Sequence, residues 1–104
     1  MIKGIGVDIV KISRFENVSE HFIDRILTLE EKNEFYKRED KIKYLASRFA
    51  AKEAYFKASQ DVHYLSVSVL NDEKGAPYIL NKKNIHLSIS DEDEYVIAYL
   101  ILEE

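Results

Sequence analysis

The second half of this chain, beyond about residue 60, changes hydrophobic period from helical to strand-like, and that change limits the fold class. Residues 2–10 (IKGIGVDIV), rich in Ile and Val, read as an opening strand. Ser13 and Glu16 have the Ser-x-x-Glu form of a capping box. They predict a helix running to about Leu27, with Phe15, Phe22, Ile23 and Ile26 inward. Thr28 and Glu31 repeat the signal and open a short helix through about Tyr36. Asp40 is placed to cap a third and longest helix over 41–59.

Beyond that helix the pattern is that of strands. Residues 65–70 (LSVSVL) alternate, 71–75 form a turn, and Pro77 begins the next strand or lies on an edge. Ile85, Leu87 and Ile89 share one strand face, and 91–94 form a polar turn. Residues 95–102 (YVIAYLIL) are nearly continuously apolar, as in a central or doubly covered strand. One strand, three helices and then strands argue an α+β fold. The apolar surface of the last strand exceeds what a small domain readily covers, which points to self-association.

With 104 residues, 46% of them hydrophobic, residues 1–104 suffice for one domain with a modest core. A net charge of -4 argues against nonspecific nucleic-acid binding. No apolar run approaches the roughly 18 residues of a membrane span, and no signal peptide is visible. Cysteine is absent, which excludes disulfides and thiolate metal sites and fits a cytoplasmic protein. Charge is uneven. Lys3, Lys11, Arg14 and Arg25 lie in the first quarter, whereas acids crowd the end. A local basic face could meet an acidic partner; scattered solvated charge is the plainer reading.

The stretch from Arg48 to Lys57 carries the chemistry. As a helix it turns Glu53 toward Ile42, Leu45, Phe49 and Phe56, where a carboxylate is costly without compensation. Lys57 lies one turn on, and a surface Glu53–Lys57 pair is the simplest account by helical geometry alone. Asp8 faces opposite Val7 and Ile9 in the first strand. If the long helix packs on that strand, Asp8 and Glu53 converge. Two carboxylates with few nitrogen ligands suit Mg²⁺, which fills its shell with water and phosphate oxygens. Gly4-Ile5-Gly6 lacks a third glycine and lies inside the strand, so it is no dinucleotide loop; close backbone approach is its better explanation. His21, His63 and His86 lack metal-ligand spacing.

Three segments together carry a resemblance: 4–10 (GIGVDIV), 45–58 (LASRFAAKEAYFKA) and 69–78 (VLNDEKGAPY), the last followed by Leu87-Ser88-Ile89-Ser90. The chain resembles the small bacterial 4′-phosphopantetheinyl transferases, the holo-[acyl-carrier-protein] synthase family. The resemblance implies an α+β fold, usually a homotrimer with active sites between protomers. It implies transfer of phosphopantetheine from coenzyme A to a serine of apo acyl carrier protein. Asp8 and Glu53 match the family's Mg²⁺ ligands, and Lys57 matches a lysine near the coenzyme A phosphates. Arg48 and the Gly75–Pro77 turn match positions bordering the nucleotide. Lys11, Arg14 and Arg25 would face the acidic carrier protein, Arg14 foremost. Two departures stand out: Asp91 follows Ser88-Ile89-Ser90 where the family usually has His, and Ser59–His63 replaces its Gly-Thr-Gly stretch. A non-catalytic carrier-binding module and a structural oligomer are the competing readings.

Overall fold

The structure, a computed structural model, describes residues 1–104. Its elements run β1 (Ile2–Lys11), a 3₁₀ turn (Ile12–Phe15), α1 (Glu20–Ile26), α2 (Leu29–Phe35) and α3 (Lys41–Ser59). A second 3₁₀ turn (Tyr64–Ser66), β2 (Val69–Asn71), β3 (Pro77–Ile79), β4 (Ile85–Glu92) and β5 (Tyr95–Glu103) follow. The α+β expectation holds. An antiparallel sheet of order β1-β5-β4 lies beside a β2-β3 hairpin.

Helix α3 packs across one face of the sheet. Its buried alanines, Ala46, Ala50, Ala51 and Ala54, meet Val10, Val96, Ala98 and Leu100 on β1 and β5. The contact is close enough that a Cβ on Gly6 would overlap the Ala54 carbonyl oxygen, and one on Gly4 that of Ala58. The glycines therefore serve close backbone approach, as the sequence implied. Gly6→Ala must push β1 off α3. It is expected to cost about 3 kcal/mol or more of stability, measured by urea unfolding.

Several predicted elements shift. Residues 13–27 are not one helix. The chain makes a 3₁₀ turn at Ile12–Phe15 with no side-chain cap, and α1 starts later under Ser19, whose side chain accepts from Phe22 N at 3.1 Å. Two serines were available as caps, and the chain uses Ser19; Phe15 is buried, as expected, but from the 3₁₀ turn. Thr28 and Glu31 do form the predicted capping box on α2. Asp40 occupies the N-cap of α3 but gives its carboxylate to Arg38 instead, at 2.7 and 2.9 Å.

The strand expected over 65–70 begins only at Val69. Ser66 Oγ instead donates to Asp61 and to the His63 carbonyl, holding a 3₁₀ turn. β4 runs on to Glu92, which narrows the expected 91–94 turn to Asp93 and Glu94. β5 is central but covered on one face only. Val96, Ala98, Leu100 and Leu102 are buried, while Tyr95, Ile97 and Tyr99 are exposed. Across the ladder Ile97 opposes Ile9, and Tyr99 opposes Val7, so the outer face of the sheet is an apolar patch.

A solvent-free ion pair joins the helical half to the hairpin. Lys52 (3% exposed) and Glu31 (0%) meet at 2.6 Å. Lys52 also donates to the carbonyls of Ile26 (2.6 Å) and Tyr64 (2.8 Å). Glu31 accepts from the backbone N–H groups of Thr28 and Val69, both at 2.7 Å. Burial pulls the Lys52 pKa below its usual value, and the Glu31 charge opposes that pull.

A candidate active site on the first strand and the long helix

The close approach of β1 to α3 brings Asp8, Glu53 and Lys57 together. Gly4, Gly6, Asp8 and Val10 lie on one face of β1, the face that meets the helix. Lys57 Nζ donates to the Val7 carbonyl at 2.8 Å and pairs with Asp8 Oδ1 at 3.2 Å. The expected Glu53–Lys57 pair does not form. Lys57 reaches back to the strand, and Glu53 Oε2 accepts a 2.6 Å hydrogen bond from the Tyr64 hydroxyl.

Burial is the main influence on Asp8 and raises its pKa above 3.8. The Lys57 hydrogen bond and charge lower it, Glu53 raises it, and Arg14 lowers it weakly. Burial first, and then the bond to Glu53, push the Tyr64 hydroxyl up to about 12, with Arg25 acting against them. Two predicted carrier-facing residues, Arg14 and Arg25, thus act electrostatically on this cluster. Arg14 lies over the rings of Phe15 and Phe49, 5.6 Å from each centroid. Lys11 is exposed at the end of β1.

The donor set fits a hard divalent cation. It offers two oxygen ligands, one of them largely withdrawn from water (the Asp8 side chain is 15% exposed), and Lys57 already balances that charge. No third acid or histidine joins them in a metal-binding cluster. Mg²⁺ commonly takes one or two carboxylates and leaves the rest of its shell to water and phosphate.

Arg48, Gly75 and Pro77 meet in a second cleft of about 260 Å³, which Arg38, Lys43, Ser47, Asn71 and Asp91 also line. Arg48 is only 2% exposed, and both terminal nitrogens of its guanidinium are hydrogen-bonded, whereas its buried Nε has no partner. It stacks on Tyr44 at 4.1 Å and donates to Ser47 Oγ at 2.9 Å, to Glu34 at 3.3 Å and to Asn71 Oδ1. Asn71 passes the contact on, with its Nδ2 donating to the Gly75 carbonyl at 2.9 Å. Asp72 closes the turn by accepting from Lys74 N and Ala76 N, both at 2.9 Å, and Gly75 takes the left-handed φ of 89° there. Arg48 therefore holds the turn from beneath. The more exposed cations of the cleft, Lys43 and Arg38, were not singled out from sequence: Lys43 pairs with the distant Asp91 at 3.3 Å, and Arg38 with its near neighbour Asp40.

The two clusters lie on different sides of α3. Arg48 and Glu53 are five positions apart, about 140° around a helix.

Known proteins share the sequence pattern and the fold of this chain. Residues 4–100 match the model of the 4′-phosphopantetheinyl transferase superfamily. A holo-[acyl-carrier-protein] synthase of Geobacillus sp. (strain WCH70) is 45% identical, over 99% of this chain and 98% of the relative. One from Acholeplasma laidlawii is 40% identical, over 99% and 98%. The crystal structure of a Bacillus anthracis holo-(acyl-carrier-protein) synthase in complex with CoA (3′,5′-ADP) superimposes with a TM-score of 0.87 at 38% identity, covering 98% of this chain and 96% of that one. The Neisseria meningitidis enzyme gives a TM-score of 0.91 at 34% identity, with both chains fully covered. With a family match over residues 4–100, whole-length relatives and a shared fold, the chain belongs to the holo-[acyl-carrier-protein] synthase family of 4′-phosphopantetheinyl transferases.

Proposed function

We propose that residues 1–104 act as one domain that transfers 4′-phosphopantetheine from coenzyme A to a serine of apo acyl carrier protein, with Mg²⁺ held by Asp8 and Glu53. The observation that carries the reading is the convergence of these two acids with Lys57 at the β1–α3 contact. The serine hydroxyl oxygen forms a bond to the β-phosphorus of coenzyme A and loses its proton to a base. The bridging P–O bond breaks, and adenosine 3′,5′-bisphosphate leaves with the electron pair. When bound, the Mg²⁺ ion supplies charge that offsets the build-up on the pyrophosphate oxygens. Lys57, steadied by the Val7 carbonyl, adds a fixed positive charge beside the same oxygens. Arg14 and Arg25, acting on the same cluster, form a basic approach for the acidic carrier, and Lys11 extends it.

The cleft of Arg48, Gly75 and Pro77 is the candidate nucleotide site, and the phase of α3 keeps it away from the acids within one chain. The apolar outer face of the sheet offers an interface. A homotrimer whose active sites lie between protomers would unite the two clusters across that interface, as the family resemblance implies.

The test is incubation with apo carrier protein, coenzyme A and Mg²⁺, followed by mass spectrometry of the carrier. A phosphopantetheine increment that disappears with EDTA supports the transferase. Carrier binding without an increment would favour a non-catalytic module.

Asp91 gives a narrower expectation. Its carboxylate faces the nucleotide cleft and occupies Lys43. Asp91→His removes a charge that repels phosphate and releases that lysine. Coenzyme A binding is expected to tighten severalfold by calorimetry; equal or weaker binding would reject the cleft as the nucleotide site.

A further inference from the structure

We infer that Tyr64 is a positioning residue that sets the orientation of the Glu53 carboxylate for the divalent ion. The inference rests on the reading of Asp8 and Glu53 as the ion's ligands.

Three independent anchors fix Tyr64. Its hydroxyl donates to Glu53 Oε2 at 2.6 Å. Its ring stacks on Phe49, with centroids 5.7 Å apart and planes at 25°, and Phe49 in turn contacts Phe15 and Phe22. Its carbonyl accepts from the buried Lys52 at 2.8 Å. A phenol held at ring, backbone and hydroxyl pins one oxygen of Glu53 and leaves Oε1 free of protein hydrogen bonds. Glu53 has three rotatable bonds of its own, and without this restraint its carboxylate must lose that freedom whenever an ion arrives. Outer-shell partners of this kind typically change metal affinity by about 10- to 100-fold.

The experiment uses the full-length protein, Tyr64→Phe and Glu53→Gln. Mn²⁺ binding is followed by electron paramagnetic resonance with coenzyme A present and no carrier protein. In parallel, the Mg²⁺ concentration for half-maximal transfer is measured. Tyr64→Phe keeps the ring stack and the Lys52 contact, and a thermal melt checks that the fold survives. The expected result is Mn²⁺ binding weakened about tenfold, a Mg²⁺ midpoint raised by a similar factor, and a smaller loss of rate at saturating Mg²⁺. A merely structural tyrosine would lower the melting temperature and leave the ion midpoint in place, and that outcome overturns the inference. If Glu53→Gln binds Mn²⁺ as the natural protein does, the assignment of the ion's ligands fails instead. If Glu53→Gln loses the ion while Tyr64→Phe keeps it unchanged, only the role of Tyr64 is rejected.

Discussion

Glu53→Gln is expected to reduce phosphopantetheine transfer on the order of a thousandfold or more while the protein stays folded. The substitution is nearly isosteric and keeps an oxygen for Tyr64. It removes one of two negative charges that converge where β1 meets α3, and it leaves Lys57 facing Asp8 alone. The amide cannot supply the anionic oxygen that the proposed ion requires. Mass spectrometry of the carrier protein after single-turnover and extended incubations measures the loss. Turnover within tenfold of the natural protein would remove Glu53 from the catalytic machinery.

The second large effect concerns stability. Lys52→Met is expected to cost about 3–5 kcal/mol, because it strands the Glu31 carboxylate without its cation in a region closed to water. A protein of this size holds about 5–15 kcal/mol in all, so the variant should unfold at much lower urea concentration or fail to accumulate. Lys52→Met combined with Glu31→Leu is expected to recover much of the loss, since a buried pair can be exchanged for well-packed apolar groups at little net cost. Equilibrium unfolding of both single variants and the double variant measures the coupling. A single variant as stable as the natural chain would show that the pair contributes nothing.

What the sequence revealed and what it withheld follow from range. The long helix was legible at about 41–59, because nineteen residues pass without a glycine or proline to break it. The capping box at Thr28–Glu31 was legible because its bonds join residues three apart. The close approach at Gly4 and Gly6 was readable from glycines inside a strand pattern. Pairs that close over long separations were not readable. Glu31 meets Lys52 from 21 positions away, and Asp8 meets Lys57 from 49. Local rules instead joined Lys57 to Glu53, its helical neighbour. Tyr64 escaped notice for the same reason. Nothing in Val62-His63-Tyr64 distinguishes a tyrosine that caps a carboxylate from one that lies in solvent. Strand and helix phase drew attention to Asp8 and Glu53, a weak signal among 19 acids that the family resemblance strengthened.

One residue ties the interior ion pair to the candidate site. The Tyr64 carbonyl is moored to the charge sealed inside the protein, while its side chain holds Glu53, the proposed ligand of the ion. Exchanging the interior pair for grease would cut that mooring even where it toughened the molecule. On the reading proposed above, such a variant could keep most of its stability and still hold the ion loosely, so engineering for robustness has to begin elsewhere in the chain.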